Sequence, residues 1–368
     1  MLAPTNRAAA APLLRRPAAP NGAALRPSRR RCLFSTGGAA PGVEDHFIQA
    51  GTLAAQQGDP EEAIRQFTLA AMANPTSIPS YCLRAECRVA LGEYTEAIDD
   101  FTKATQLAPD MMYVHRYLGE CHAAVGDLDA ASAAYMTAIE LAGELDADVR
   151  LGYASMLLRV GQSSRAVNRF NDVLDLLPGT GSQVQEAWLG KARAYLQLGK
   201  ADDAESSFKS SLVEDEDGGE SDAWRRRGAM EAHAALAALA MQGGRTHEAV
   251  LRYTEAVEAT QQEVASGSEE AEELGYTLRT LRCHRAAALL ASSDYDGALK
   301  DCDDVLREQV AANADALLIA FVTRAQCRAA QSEWGYAVDD FTAYLDATRQ
   351  ADAESSLDAS PEATARRR

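Results

Sequence analysis

"GDPEEAIRQFTLAAMANP", residues 58–75, carries a helix with both of its ends marked. Asp59 stands at the N-cap position, Pro60 at the first helical position, and Glu61 and Glu62 in the first turn, where carboxylates meet the free amides and the positive end of the helix dipole. Ala63, Phe67 and Ala70 follow at steps of four and three, so they share one face. Pro75 stops the helix, because it has no amide proton and restricts the residue before it. A narrow apolar stripe of this kind cannot be buried by one helix alone and requires neighbours. The chain supplies them by repetition: 34 residues on, residues 92–109 read "GEYTEAIDDFTKATQLAP".

The alanine at 63 recurs as Ala97, Ala131, Ala166, Ala204, Ala249, Ala298 and Ala337, at spacings of 34, 34, 35, 38, 45, 49 and 39 residues. Four residues after each stands Phe67, Phe101, Tyr135, Phe170, Phe208, Tyr253, Cys302 or Phe341. Twelve residues before each stands Gly51, Ala85, Gly119, Ala154, Ala192, Ala237, Ala286 or Ala325. Paired helices must approach closely at these small residues, with the aromatic filling the space beside them. A leucine there would overpack the joint at about 1–3 kcal/mol.

This pattern resembles the tetratricopeptide repeat family, whose 34-residue helix-turn-helix unit carries small, small, aromatic, small and Pro at these offsets. The likeness spans roughly residues 44–351, with copies near 44–77, 78–111, 112–145, 147–180, 185–218, 230–263, 279–312 and 318–351. An inter-helix glycine stands at Gly58, Gly92, Gly126, Gly161, Gly199 and Gly244, replaced by Ser293 and Ser332, and the closing proline at Pro75, Pro109 and Pro178. The resemblance implies an all-α fold, a right-handed α-solenoid of about eight repeats. The longer spacings after the fourth copy call for extended helices or inserted loops.

Residues 1–43 differ in kind. Arg7, Arg15, Arg16, Arg26, Arg29, Arg30 and Arg31 occur there with no acid and no lysine, and "RRRCLFSTGG" resembles a mitochondrial processing site. The expectation is a removable, disordered targeting presequence cleaved near Leu33 or Pro41. A membrane potential acts on such a leader with about 2.3 kcal/mol per charge per 100 mV, which favours the mitochondrial matrix, with plastid stroma as the alternative. No run of apolar residues is long enough to span a bilayer. Residues 352–368 read as a polar, disordered tail.

Without those seven arginines the formal charge moves from −18 to about −25. A surface so acidic repels phosphate backbones, so direct nucleic-acid binding is not expected. Catalytic or metal chemistry is not expected either, and no cofactor is called for. Cys87, Cys121 and Cys327 share one repeat position and Cys82 and Cys283 another, Cys302 replaces the aromatic, and Cys32 lies in the leader. They are spread by repetition rather than gathered as ligands, which points to reduced structural thiols. His115, Cys121 and His122 do not share one helical face, and "PGTGSQ" at 178–183 lacks the lysine and preceding strand of a phosphate loop.

The resemblance places the first helix of each repeat along a concave groove. It brings Tyr113, Arg116, Tyr117 and Glu120 of the third copy, and Leu151, Arg159, Leu189 and Arg193 of the next two, into that groove as candidates to contact an extended peptide or helix of a protein partner. Tyrosine and arginine are apt for this, giving area and directed hydrogen bonds. The alternative for the tyrosines is packing against the next repeat. Members that bind chaperones grip a terminal carboxylate with lysines, asparagines and an arginine. The corresponding positions here are Ile48, Thr52, Leu83, Tyr113 and Tyr117, or Ala234, Ala238, His284, Ile319 and Thr323, which lack that cationic set. A second contact candidate is "SDAWRRRGA" at 221–229, with Trp224, Arg225, Arg226 and Arg227, for which the plainer reading is a lengthened helix whose arginines meet neighbouring acids. The reading reached is a non-catalytic mitochondrial protein-interaction scaffold, an assembly factor or accessory subunit. An organelle gene-expression or ribosome-associated factor and a co-chaperone without the clamp stand as alternatives, and self-association is left open.

Overall fold

The structure, a computed structural model, describes residues 42–143, 146–177, 179, 181–212, 223–266, 271–307 and 314–358. The leader up to residue 41, Cys32, Pro178 and the tail from 359 lie outside the described residues. Among those described there are sixteen helices and no strand. They are α1 (Val43–Gln56), α2 (Pro60–Ala73), α3 (Ile78–Leu91), α4 (Tyr94–Leu107), α5 (Met112–Val125), α6 (Leu128–Ala142), α7 (Ala147–Arg159), α8 (Ser163–Leu176), α9 (Ser182–Gln197), α10 (Ala201–Ser211), α11 (Ala223–Gln242), α12 (Thr246–Ala265), α13 (Ala271–Ala291), α14 (Tyr295–Arg307), α15 (Ala314–Ala330) and α16 (Trp334–Asp358). The fold is the all-α helical-hairpin repeat that the sequence pattern implies. The helices begin at Val43 and run to Asp358, against a repeat span of 44–351 read from the sequence. The wide spacings past the fourth copy are taken up in part by longer helices, of 20 residues in α11 and α12 and 21 in α13.

The ends of the helices follow from local chemistry. The Asp59 carboxylate accepts from the Glu62 amide at 2.9 Å and Asp127 from the Ala130 amide at 3.1 Å, capping α2 and α6. Between paired helices the chain turns through a left-handed residue: Gly92 has φ +80°, and its amide and that of Glu93 bond back to Val89 and Arg88. Ser293 and Ser332, standing where other copies have glycine, adopt the same region at φ 66° and 67°.

The chain divides into two compact units, one of the described residues up to Gly179 with Arg193–Lys200, the other of Thr180–Ala192 with Ala201 onward. In the first, each helix from α1 to α8 packs on the next; in the second, each from α10 to α16 does so. All eight repeat alanines are buried, as are the eight small residues twelve positions earlier. The ring four residues after the alanine lies directly on the small residue of its partner helix: a Cβ on Gly51 would come within 2.7 Å of Phe67, and one on Gly119 within 2.5 Å of Tyr135. Several of these rings are then covered by the following hairpin. Phe101, for example, shares its cluster with Val114, Leu118 and Cys121 of α5. Burying such a side chain contributes about 1.5–3 kcal/mol, so neighbouring hairpins stabilise one another through these rings. The exception is the last copy, where Phe341 is exposed.

Candidate functional site

The first helices of successive hairpins touch, α1 with α3, α5 with α7, and α13 with α15. Their shared face is where the third-copy candidates lie. The helical rise carries Tyr113, Arg116, Tyr117 and Glu120 along one side of α5, and all four are half-buried. Arg116 donates to Glu120 at 3.2 Å and sits over the Tyr117 ring at 4.8 Å from its centroid. Tyr117 in turn stacks on Phe101 at 5.4 Å, and the Tyr113 hydroxyl donates to the Cys82 sulfur at 3.4 Å. The tyrosines therefore pack one edge against a neighbouring repeat, as the alternative reading has it, and remain half-buried.

Three residues not named as groove candidates from the sequence lie beside or beneath this patch. Tyr135, on α6, stacks on Tyr153 of α7 at 5.2 Å. Burial pushes its ionisation well above the usual phenol range, and the nearby Glu120 charge raises it further while Arg116 and Arg159 pull the other way. Gly152 on α7 lies opposite: a Cβ there would sit 3.6 Å from Tyr135 and 4.0 Å from the Arg116 stem, in ordinary van der Waals contact. Glu86, 34 residues before Glu120 and in the same repeat position, has its carboxyl pushed up by burial, with Arg116 pulling the other way. Reading the same offsets in copy two would have found it.

Not every candidate joins this patch. Arg159 is exposed at the end of α7 within range of Tyr135, whereas Arg193 is half-buried on α9 and engaged with neighbours of its own. Leu151 and Leu189 are buried in the packing between helices, so neither offers surface to a partner. On α11, Arg226 pairs with Glu263 at 2.8 Å and Arg227 approaches the same carboxylate at 3.9 Å, with Glu263 buried between them. The Arg225 carbonyl accepts from Gln185 at 3.4 Å, and the Trp224 side chain lies outside the described residues.

The chemistry open to the α5 patch is recognition. Arg116 and the tyrosine hydroxyls can donate to a backbone carbonyl or carboxylate, Glu86 and Glu120 can accept, and the rings supply apolar area. The six cysteines among the described residues are buried and unbridged, and burial raises the Cys87 and Cys327 thiols to about 11 and those of Cys121 and Cys283 to about 12. At neutral pH they are protonated and poor nucleophiles. Among the described residues no group of three or more His, Cys, Asp or Glu side chains forms a ligand set, and no helix is long and apolar enough to cross a membrane.

Comparison with known proteins agrees with the repeat reading. One tetratricopeptide repeat model matches residues 88–155 and another matches residues 48–111 and 154–220, so the chain carries tetratricopeptide repeats. No curated protein matches the chain. Among solved structures, MamA is similar over 46% of this chain and 90% of its own, at 21% identity and a TM-score of 0.40. PilW, described as a widely conserved type IV pilus biogenesis factor, is similar over 64% of this chain and 99% of its own, at 18% identity and a TM-score of 0.43. YrrB, described as a TPR protein with an unusual peptide-binding site, is similar over 45% of this chain and 83% of its own, at 20% identity and a TM-score of 0.37.

Proposed function

We propose that this chain is a non-catalytic protein-interaction scaffold of the mitochondrial matrix, an assembly factor or accessory subunit that receives an extended segment or helix of a protein partner across α5 and α7. Tetratricopeptide repeats are protein-binding modules, and the observation that supports this location is the Arg116 cluster. There a guanidinium held between a carboxylate and a ring lies on a half-buried helix face. Such groups are half-desolvated and fixed in position before any partner arrives, which lowers the ordering cost of binding. The matrix assignment is supported by the acid-free, arginine-rich residues 1–43.

The test is affinity purification from mitochondria of cells expressing the full chain, wild type or with Arg116→Glu and Tyr117→Ala. The reading expects one or a few stable partners, lost with the double variant and retained after ribonuclease treatment. Loss on ribonuclease treatment would favour the gene-expression alternative, and weak recovery of many unfolded proteins the co-chaperone one. A fluorescent fusion lacking residues 1–43 tests the location separately: it should stay out of mitochondria, and its arrival there would refute the matrix assignment.

A further inference from the structure

We propose that the outward face of α16 is a second docking surface, built to receive a basic amphipathic helix of another protein. Trp334, Val338, Phe341 and Leu345 are 65%, 63%, 40% and 51% exposed, and their spacing of four, three and four residues places them on one helical face. No other single helix among the described residues carries four large exposed apolar side chains in such register. A hairpin with no neighbour on that side would be expected to turn a polar face outward.

The interior hairpins show what shape of occupant fits. Phe341 holds the repeat position whose rings in the other copies are at most 3% exposed. Three of those rings are covered by a ring on the first helix of the following hairpin, Phe101 by Tyr117, Tyr135 by Tyr153 at 5.2 Å, and Tyr253 by His284 at 5.9 Å. The surface over α16 is therefore a slot for one more helix, with an aromatic or large apolar side chain opposite Phe341. Residues 359–368 contain no Leu, Ile, Val, Met or aromatic residue and lack the side chains to fill it.

Charge selects the chemistry of that helix. At the start of α16 a cleft of roughly 420 Å³ is lined by Ser332, Glu333, Trp334, Gly335, Tyr336 and Asp339. Two carboxylates beside two aromatic rings suit an incoming arginine or lysine, which gains ion pairs and a cation–π contact together. Arg328 already lies 5.3 Å from the Tyr336 centroid, showing that this ring takes a guanidinium, but Arg328 is paired with Asp340 at 2.9 Å. Further along, Asp346 pairs with Arg349 at 3.5 Å. Glu333 and Asp339 are exposed acids with no basic partner among the described residues. A second copy of this chain would bring the same acids, and a formal charge of −18, against themselves.

The experiment measures binding of labelled synthetic amphipathic peptides of about five helical turns to the full chain. One peptide carries leucines and a phenylalanine on one face with lysine and arginine on the other; its twin has glutamate for every basic residue. The basic peptide should bind saturably and the acidic one not. Val338→Ser with Leu345→Ser should weaken binding about tenfold or more. Glu333→Gln with Asp339→Asn should weaken it and flatten its salt dependence, whereas Glu44→Gln with Glu61→Gln, the same charge change elsewhere, should leave it intact. All these positions are exposed except Glu44, which is half-buried, and an unchanged melting curve for each variant separates lost binding from lost fold. The proposal is overturned by equal binding of both peptides, by no binding, or by an equal effect of the control pair. It is also overturned if the chain is a dimer that the serine variant dissociates, which would make a second copy the occupant. Binding that appears only after removal of residues 1–41 would overturn it too, by making the chain's own arginine-rich segment the occupant.

Discussion

Arg84 on α3 reaches across its hairpin to Asp100 on α4, with Nε 2.8 Å from one carboxylate oxygen and Nη2 2.5 Å from the other. Arg88 adds a third contact at 2.7 Å, and the Asp100 side chain is only 5% exposed. The same pair, sixteen residues apart, recurs as Arg285 with Asp301 and as Arg324 with Asp340. Breaking it from one side leaves buried cations without a counter-charge. Asp100→Ala is expected to destabilise the chain by about 3–5 kcal/mol, read from urea unfolding. Replacing Arg84, Arg88 and Asp100 together with leucine or methionine should cost far less, because no charge is then stranded. If the single variant costs no more than the triple, the pair is not what closes this hairpin.

Gly119 and Tyr135 set a steric limit on the third hairpin. A methyl group at Gly119 would stand 2.5 Å from the ring, so the ring must move, and it is held on its other side by Tyr153. Gly119→Ala gains helix propensity of about 0.5–1 kcal/mol but overpacks at about 1–3 kcal/mol. Net destabilisation is expected, together with weaker partner binding at the Arg116 patch, because the displaced ring shifts α5, which carries that patch, against α6. In hairpin two, where alanine already occupies the matching Ala85 site, Ala85→Gly should only lower stability and leave that patch unchanged.

How far the sequence could be read follows from what each interaction depends on. The alanine, small-residue and aromatic offsets were legible because helix crossing imposes the same steric demand in every copy. The Arg84–Asp100 pair was not, since it joins two helices across a turn, in three copies only, and follows no helical period. Of the candidate site, the α5 face was legible from repeat offsets, but the stacking of Tyr135 on Tyr153 of the next hairpin was not, because its offset marks it only as a packing ring within its own. Leu151 and Leu189 occupy groove offsets yet are buried, their exposure being set by how neighbouring helices lean. Phe341 makes the same point in reverse: nothing in its own hairpin says that it will be exposed, because its cover would come from the next.

Ser293 and Ser332 hold φ values of 66° and 67° where the other turns use glycine. A left-handed residue with a Cβ costs about 1–2 kcal/mol, partly offset by the larger chain entropy that glycine gives the unfolded state. Ser293→Gly and Ser332→Gly are each expected to stabilise the chain by about 0.5–1 kcal/mol, seen as a raised denaturation midpoint without a change in slope. Gly92→Ser should shift the midpoint the opposite way. A neutral or destabilising serine-to-glycine result would mean that the hydroxyls serve the turn in a way the backbone geometry does not convey.

His284 on α13 is buried against Tyr253, and its Nε2 finds no hydrogen-bond partner among the described residues. Burial lowers its pKa below the ordinary histidine value. The unfolded chain therefore takes up a proton at a pH where the folded one does not, and stability must fall as pH drops below about 6.5 toward the lower folded value. Above that range the imidazole is neutral in both states and contributes no slope. His233 on α11 shifts in the same direction through burial, opposed by Glu255 at 2.9 Å, so it adds to the same window. His284→Phe keeps a ring over Tyr253 and removes the proton, so it should flatten the decline in stability between pH 7 and 5 while leaving the neutral value little changed. His284→Ala should instead lower stability at every pH by opening a cavity of ring size, at about 2–4 kcal/mol. A wild-type stability that stays level across this interval, or a phenylalanine variant that declines as steeply as wild type, would show that this imidazole is not the group that responds.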